Sequence, residues 1–160
     1  MMYRFALMVF KALAVVPFVQ WIILRLFNTR FLVGVVGVID DGEGGVLLFH
    51  HTYRKKYPWG LPGGWIKKGE HPEQALPREI REESGLTIES RGIFHLFSHD
   101  EGPSIEIVLL AQLTGGTFSP TAEVDKMTRV LPGEIPAGVK PAHAKLIDEY
   151  FRSKKELGAS

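Results

Sequence analysis

Residues 64–86 of this 160-residue chain read GWIKKGEHPEQALPREIREESGL, and the prediction of the fold rests on this segment. Pro72 suits the first position of a helix, where its missing backbone N–H is not needed. Gly85 suits the left-handed position that ends a helix. Pro77 lies inside this helix and costs on the order of 3 kcal/mol, because it removes one hydrogen bond and disfavours helical geometry at the preceding residue. We therefore expect a kinked or tightened first turn, with regular helix from Pro77 onward.

Three glutamates on this helix predict a metal site. Glu79, Glu82 and Glu83 have the spacing i, i+3 and i+4, which places them on one face of a helix, in an arc of roughly 100°. Like charges at this distance repel one another, so a helix gains nothing by gathering them unless a positive charge lies between them. A hard divalent cation is the obvious candidate.

The composition predicts one ordinary globular domain. A length of 160 residues suffices for one core and is short for two. The 19 basic and 18 acidic residues nearly cancel, so no global field attracts nucleic acid, and we expect no sequence-specific nucleic acid binding. The chain has no cysteine, which excludes disulfides and thiolate metal sites.

Strands and a closing helix are predicted around the central segment. Apolar runs separated by turn-forming residues predict a first hairpin from residues 31–39 and 46–49, a second hairpin from 86–97 and 105–113, and a short strand over 124–131. Residues 143–151 have one apolar side and predict a helix packed on the sheet. Gly34 and Gly37 weaken the first strand and indicate places where another element approaches the backbone.

The apolar residues 5–27 predict an additional N-terminal helix. Arg4, Lys11 and Arg25 fall within about 60° of each other on a helical wheel, which favours a helix lying in a membrane interface with Trp21 at the headgroup level. A single membrane span is one alternative. A helix that packs on the domain, or on a second copy of the chain, is another.

Two parts are therefore predicted, an apolar N-terminal segment of residues 1–29 and a globular domain of residues 30–160. Contact with a membrane surface through residues 1–28 and formation of a homodimer are the partner interactions that this segment suggests. We expect a cytoplasmic protein, attached to the inner face of the membrane if the segment binds lipid.

The loop over residues 51–59, HTYRKKYPW, is basic and aromatic. Such a charge run is often only a solvated turn. Its place just before a glycine-rich turn suggests instead a rim that holds phosphate with cations and stacks a base on a ring. The candidate substrate-binding residues are Tyr53, Arg54, Lys55, Tyr57 and Trp59.

The central segment resembles the signature of the Nudix hydrolases. The fixed positions of that signature are matched by Gly64, Glu70, Arg78, Glu79, Ile80, Glu82, Glu83, Gly85 and Leu86. So many fixed residues over 23 positions are far harder to meet by chance than a short glycine motif. The resemblance extends from about Phe31 to the C-terminal helix, and the first 30 residues lie outside it.

This resemblance implies an α/β/α sandwich with a mixed central sheet. It also implies hydrolysis, by a metal-activated water, of a nucleoside diphosphate linked to another group, with Mg²⁺ or Mn²⁺ as cofactor. The metal ligands would be Glu79, Glu82 and Glu83, and the carbonyl of Gly63 or Gly64 would complete the shell.

Two further roles are expected by similarity to the family. Arg78 would hold one of the glutamates by a charge-assisted hydrogen bond. The general base would be Glu79 or Glu123, and the loop of residues 99–101 is a further source. Glu70 is a less certain ligand that would otherwise support the loop before the helix.

Other functions remain open at the level of sequence. A Nudix-like module that senses a nucleotide without turnover is one, and a membrane-anchored interaction unit is another. An isoprenoid diphosphate isomerase is a third, although the chain has no cysteine for the role such enzymes assign to that residue.

Overall fold

The computed structural model describes residues 3–4, 17–28, 30–98 and 102–158, and the chain divides into two compact units, residues 1–31 and 32–160. The first unit contains helix α1, Pro17–Phe27, in which the Arg25 guanidinium lies 5.0 Å from the centre of the Trp21 ring. Within the described ranges, no helix is long and apolar enough to cross a membrane. Residues 5–16 lie outside those ranges, so the N-terminal helix expected over 5–27 stays a prediction.

The second unit is a mixed sheet with a helix on each face. Its elements are β1 (Leu32–Asp40), β2 (Val46–His51), β3 (Trp59–Gly60), β4 (Gly63–Trp65), α2 (Pro72–Ser84), β5 (Leu86–Ser98), β6 (Ser104–Gly116), β7 (Val124–Val130) and α3 (Pro141–Gly158). The strand order is β3-β2-β1-β6-β5, with β4 paired to β1 and β7 paired to β2. The predicted sandwich is confirmed.

Strand β1 lies at the centre, because its two edges pair with different partners. On one side it runs parallel to β6 from Leu32–Ser104 to Asp40–Gln112. On the other side it pairs antiparallel with β4. The first predicted hairpin is therefore only partly correct, because β1 and β2 pair in register at Asp40–Val46 alone. Nearer the start of β1, strand β4 occupies this edge. Strand β2 pairs instead with β7 and β3.

The second hairpin is confirmed by β5 and β6, which pair antiparallel from Leu86–Gly116 to Ser98–Ile105. Strand β7 and helix α3 confirm the short strand and the closing helix. Helix α2 ends as predicted at Gly85, whose φ is 75°. It is continuous through Pro77, and its first turn is tightened, because the His71 carbonyl accepts hydrogen bonds from the N–H groups of Gln74 and Ala75, both at 2.9 Å.

Alternate residues of the strands fill two separate cores. On one face Val35 and Ile39 of β1 pack with the buried apolar residues of α2, which are Ala75, Leu76 and Ile80. On the other face Val36 and Val38 pack with Leu146 and Ile147 of α3. A period of two sends successive side chains to opposite faces, and burial on both faces explains why β1 reads as a continuous apolar run.

The glycines of β1 and β4 permit close approaches between elements. A Cβ on Gly37 would lie 2.8 Å from Leu76 Cδ2, so α2 packs directly on the backbone there, as predicted. Gly63 has a φ of 152°, and a Cβ there would lie 2.0 Å from the carbonyl oxygen of Val35. The pairing of β4 with β1 therefore requires glycine at position 63.

Replacing Gly63 with alanine should destabilise the protein by at least about 2 kcal/mol, because the methyl group collides with the β1 backbone in a conformation that L-residues rarely adopt. Urea unfolding followed by circular dichroism measures the loss. Gly115→Ala is the matched control, since a Cβ at that glycine has no atom within 4 Å. Equal stability of the two variants would contradict the close approach of β4 to β1.

Candidate active site

Gly64 brings strand β4 against Glu79 of α2. A Cβ on Gly64 would lie 2.5 Å from Glu79 Cδ and 2.6 Å from its Oε2. The Glu79 carboxylate can occupy this position only because position 64 has no side chain. The glycine turn and the helix therefore form one unit, with Gly63, Gly64 and Glu79 on the wall of a cleft of about 420 Å³.

The Arg78 guanidinium connects this unit internally. Its Nε and Nη2 donate to both oxygens of Glu70, at 2.6 and 2.8 Å. Its Nη1 donates to Glu79 Oε1 at 2.7 Å and to Glu82 Oε2 at 3.2 Å, and Nη2 also donates to the Trp65 carbonyl at 3.1 Å. These charge-assisted bonds lower the pKa of Glu70 to about 2 and raise that of Arg78. The bond from Arg78 to a glutamate is present, and Glu70 also accepts from the Lys67 N–H as a support of the loop.

Glu83 lines the cleft with a carboxylate that is partly buried. Its Oε2 is buried and has no hydrogen-bond partner among the described residues. Burial, together with the nearby charges of Glu79 and Glu123, raises the pKa of Glu83 to about 7, although Arg54 acts in the opposite direction. An orphaned carboxylate oxygen beside two other carboxylates is costly unless a cation compensates it. These residues therefore fit a divalent cation with oxygen ligands.

The carboxylates do not all converge as the sequence predicts. Glu79 and Glu83, at i and i+4, line the cleft together with Glu123. Glu82 is exposed, lies 3.7 Å from Lys67 Nζ and bonds to Arg78, so it belongs to the neighbouring stripe of the helix. Within the part of the chain that the structure describes, no three carboxylate or imidazole groups lie in the arrangement of a metal centre.

The loop after β2 supplies the basic wall of the site. Tyr53 and Arg54 line the cleft, and the Arg54 guanidinium lies 5.5 Å from the centre of the Tyr53 ring. Arg54, Lys55 and Tyr57 also line an adjoining groove of about 1000 Å³. Four of the five residues predicted to bind substrate therefore border these cavities.

Trp59 is the exception among the predicted substrate-binding residues. It lies on β3, is partly buried against the core on the α3 face and meets the His50 ring edge-on, with 5.1 Å between ring centres. It borders neither cavity, because the pairing of β3 with β2 directs it to the core. The loop of residues 99–101, a further candidate for the general base, lies outside the described residues.

Three residues at the cavities were missed by sequence reasoning. Trp65, Ser104 and Glu106 border both cavities. Glu106 had a signal that was available in the sequence, since it is the single charged residue in the apolar run of β6. Trp65 follows the glycine turn directly, and 57% of its surface is exposed.

Comparisons with known proteins find a matching family model and several named relatives. A family model described as the NUDIX domain matches residues 30–150. An ADP-ribose pyrophosphatase of Methanocaldococcus jannaschii is 28% identical over 126 residues, which are 76% of this chain and 74% of that protein. An 8-oxo-dGDP phosphatase of Danio rerio is 36% identical over 100 residues, which are 61% of this chain and 30% of that protein, so the chain spans under a third of that relative's length.

Solved structures show the same fold. A NUDIX hydrolase of Nitrosomonas europaea has a TM-score of 0.72 at 21% identity, covering 81% of this chain and 75% of that one. An ADP-ribose pyrophosphatase of Streptococcus suis has a TM-score of 0.64 at 21% identity, covering 77% and 93%. At this identity the similarity concerns the fold alone.

His51 gives the stability of the folded protein a measurable dependence on pH. Its ring is fully buried at the end of β2, and burial, together with the charge of Arg54 and the neighbouring His143 and His50, lowers its pKa to about 3. The folded protein therefore keeps His51 neutral, whereas the unfolded chain binds a proton below pH 6.5.

The stability that His51 contributes should consequently be lost as the pH falls from about 6.5 toward 3. From pH 7 to pH 5 the loss from this group should reach up to about 2 kcal/mol. Urea unfolding of the unmodified protein and of His51→Gln at both pH values measures this contribution. The comparison separates it from the contribution of Glu83, which changes stability with pH in the opposite direction. His95→Gln, at an exposed position, is the control. The account of His51 would be wrong if His51→Gln lost as much stability on acidification as the unmodified protein.

Proposed function

Since this chain belongs to the NUDIX domain family, we propose that it hydrolyses the diphosphate bond of a nucleoside diphosphate linked to another group. The observation that carries this proposal is the buried, unpartnered Oε2 of Glu83 in a cleft shared with Glu79 and Glu123. A diphosphate brings negative charge to this cleft, and a divalent cation would satisfy both the carboxylates and the phosphates.

The relatives support a nucleotide-derived small molecule as substrate. The relative described as an ADP-ribose pyrophosphatase aligns over about three quarters of both chains, so its name bears on the whole domain. The relative described as an 8-oxo-dGDP phosphatase is matched over a smaller part of its length and bears less on the whole protein. ADP-ribose is therefore the first compound to assay.

For the cofactor we propose Mg²⁺ or Mn²⁺, held by Glu79, Glu83 and a carbonyl of Gly63 or Gly64. Glu82 remains a proposed ligand, because its carboxylate is exposed on the same helix and a side-chain rotation would redirect it. When bound, such a cation would neutralise charge on the diphosphate oxygens and activate a water.

The remaining roles follow from the surroundings of each side chain. Glu123 is the preferred general base, because no residue in the described ranges holds its carboxylate, whereas Arg78 fixes that of Glu79. It would accept the proton of the water that attacks phosphorus as the bond to the bridging oxygen breaks. Arg54, whose charge acts on Glu83, is the proposed phosphate contact, and Tyr53 borders the same cleft.

A nucleotide-sensing module without turnover is the second candidate. It is favoured by the finding that no three carboxylate or imidazole groups among the described residues are arranged as a complete ligand set. Such a module would bind nucleotide diphosphates in the same cleft and release no phosphate.

Residues 1–28 carry the proposed membrane contact. In α1 the apolar side chains of Phe18, Trp21 and Leu24 are exposed. This exposure supports contact with a membrane surface, for which we propose the inner, cytoplasmic face, and it equally supports contact with a second copy of the chain. Sedimentation with and without anionic vesicles separates these two interactions.

Glu83→Gln should lower the rate of Mg²⁺-dependent ADP-ribose hydrolysis at least about 100-fold, because the amide removes the charge that balances the cation. Glu82→Gln should have an effect of the same order if the side chain is recruited to the metal. Chromatography of AMP and ribose 5-phosphate measures both products.

Glu73→Gln is the matched control, since Glu73 lies in the first turn of the same helix and borders no cavity named above. Full activity of Glu83→Gln would contradict the site. The sensing module would be favoured if the unmodified protein bound ADP-ribose but formed no products from it or from related nucleotide diphosphates.

A further inference from the structure

Helix α2 ends against the segment that leads into β7. The last carbonyls of a helix have no partner within the helix and need donors from elsewhere. Here the Ser119 N–H donates to the Ser84 carbonyl at 2.8 Å, and the Thr121 hydroxyl donates to the Glu83 carbonyl at 3.1 Å. The segment of residues 119–121 therefore caps the end of the helix that carries the glutamates of the cleft.

The Thr121 hydroxyl has a second partner on the far side of Glu123. Val124 donates its N–H to Thr121 Oγ1 at 3.2 Å, and the Thr121 N–H donates to the Val124 carbonyl at 2.8 Å. These two bonds close a turn over residues 121–124. A hydroxyl donates one hydrogen bond and also accepts. Thr121 Oγ1 therefore joins the carbonyl of one residue of the cleft, Glu83, to the turn that holds another, Glu123.

Thr52 holds the same turn from the loop after β2. Its N–H donates to the Glu123 carbonyl at 3.0 Å, and its hydroxyl donates to the Ala122 carbonyl at 2.7 Å. Thr52 comes directly before Tyr53 and Arg54, which line the cleft. The backbone of Glu123 is therefore held on two sides, by the end of α2 and by the loop that forms the basic wall of the site.

We propose that Thr121 is a positioning residue for Glu123, the general base of the proposed function. Its hydroxyl ties the Glu123 turn to the Glu83 end of α2, so that the Glu123 carboxylate is placed to accept the proton of the attacking water. Thr121 itself borders neither cavity, and it acts through Glu123. This inference rests on the proposed function, because it explains how the base of the same cleft is placed.

The placement of this carboxylate depends on the turn. The register between β2 and β7 ends at His51–Val124, so strand pairing does not include Glu123, which is exposed. A general base has to come within hydrogen-bond reach of the proton that it accepts, roughly 2.6–3.2 Å between heavy atoms. A displacement of about 1 Å can cost a factor of about 100 in rate. The hydrogen bonds of Thr121 should therefore influence the rate of reaction more than the binding of substrate.

Thr121→Val tests this role, because it removes the hydroxyl and keeps a branched side chain of similar size. With Mg²⁺ and ADP-ribose, the variant should lower kcat at least about tenfold and change KM by less than about twofold. Thr121→Ser should restore most of the activity, since serine keeps the donor and the acceptor. Thr114→Val is the matched control, because the Thr114 hydroxyl donates to the Thr87 carbonyl at a similar distance, 3.0 Å, and Thr114 borders neither cavity.

A double-mutant cycle with Glu123→Gln separates positioning of the base from a general structural effect. If Thr121 acts through Glu123, Thr121→Val should lower kcat far less in the Glu123→Gln background than in the unmodified protein. An equal fall of kcat in both backgrounds would overturn the proposal, and so would a Thr121→Val variant with unchanged kcat. Full activity of Glu123→Gln would also overturn it, because Thr121 would then have no base to position.

Amide hydrogen exchange distinguishes failure of this proposal from failure of the proposed function. The Thr52 N–H, which donates to the Glu123 carbonyl, should exchange faster in Thr121→Val than in the unmodified protein. Faster exchange without hydrolysis of any diphosphate would support the placement of Glu123 by Thr121 and refute the function. Hydrolysis at an unchanged rate in Thr121→Val would leave the function intact and refute the positioning.

Discussion

The position of the Arg78 guanidinium is the constraint on which the rest of the site depends. It donates to the carboxylates of Glu70, Glu79 and Glu82 and to the carbonyl of Trp65, and so connects the loop before α2, the helix itself and strand β4. Because Arg78 is fully charged and its donors have a rigid planar geometry, it fixes the glutamates that it contacts. Glu83 lies beyond its reach in the cleft, where its charge has to be balanced by another partner.

The two faces of strand β1 contribute to different parts of the site. Its odd-numbered residues from Val35 to Ile39 face α2, which carries the glutamates. Its even-numbered residues face the side of α3, where Gly34 lies in register between Trp65 and Glu106. The glycines of β1 and β4 thus serve both the packing of the fold and the shape of the cleft.

Much of the fold could be predicted from the sequence, because its signals are local. Turn residues and apolar runs located α2, β5, β6 and β7, and Gly85 marked the end of α2. The pairing of β1 could not be predicted in this way, since its parallel partner β6 lies about 70 residues away in sequence and β4 is only three residues long. The first hairpin is only partly formed for the same reason, because a turn signal does not reveal which strand competes for the edge.

The candidate site was predictable to a similar degree. Glu79 and Glu83 share a stripe of the helix because they are four residues apart, whereas Glu82 is drawn to Arg78, four residues before it. Periodicity alone cannot show such competition for a partner. Trp59 was expected at the cleft because it is aromatic and near a glycine turn, but strand pairing directs it to the core. Glu106 had a signal in the sequence as the single charged residue of β6, but the pairing of β6 with β1 was needed to place it at the cleft beside Gly34.

Titration of the metal-free protein with Mn²⁺, followed by electron paramagnetic resonance of the unbound ion, tests the central claim most directly, because it requires neither a substrate nor turnover. The claim is that Glu79 and Glu83, with a carbonyl of Gly63 or Gly64, hold a divalent cation in the cleft. The account predicts saturable binding that Glu83→Gln weakens at least about tenfold and that Glu73→Gln leaves unchanged. Equal affinity of the unmodified protein and Glu83→Gln would contradict it.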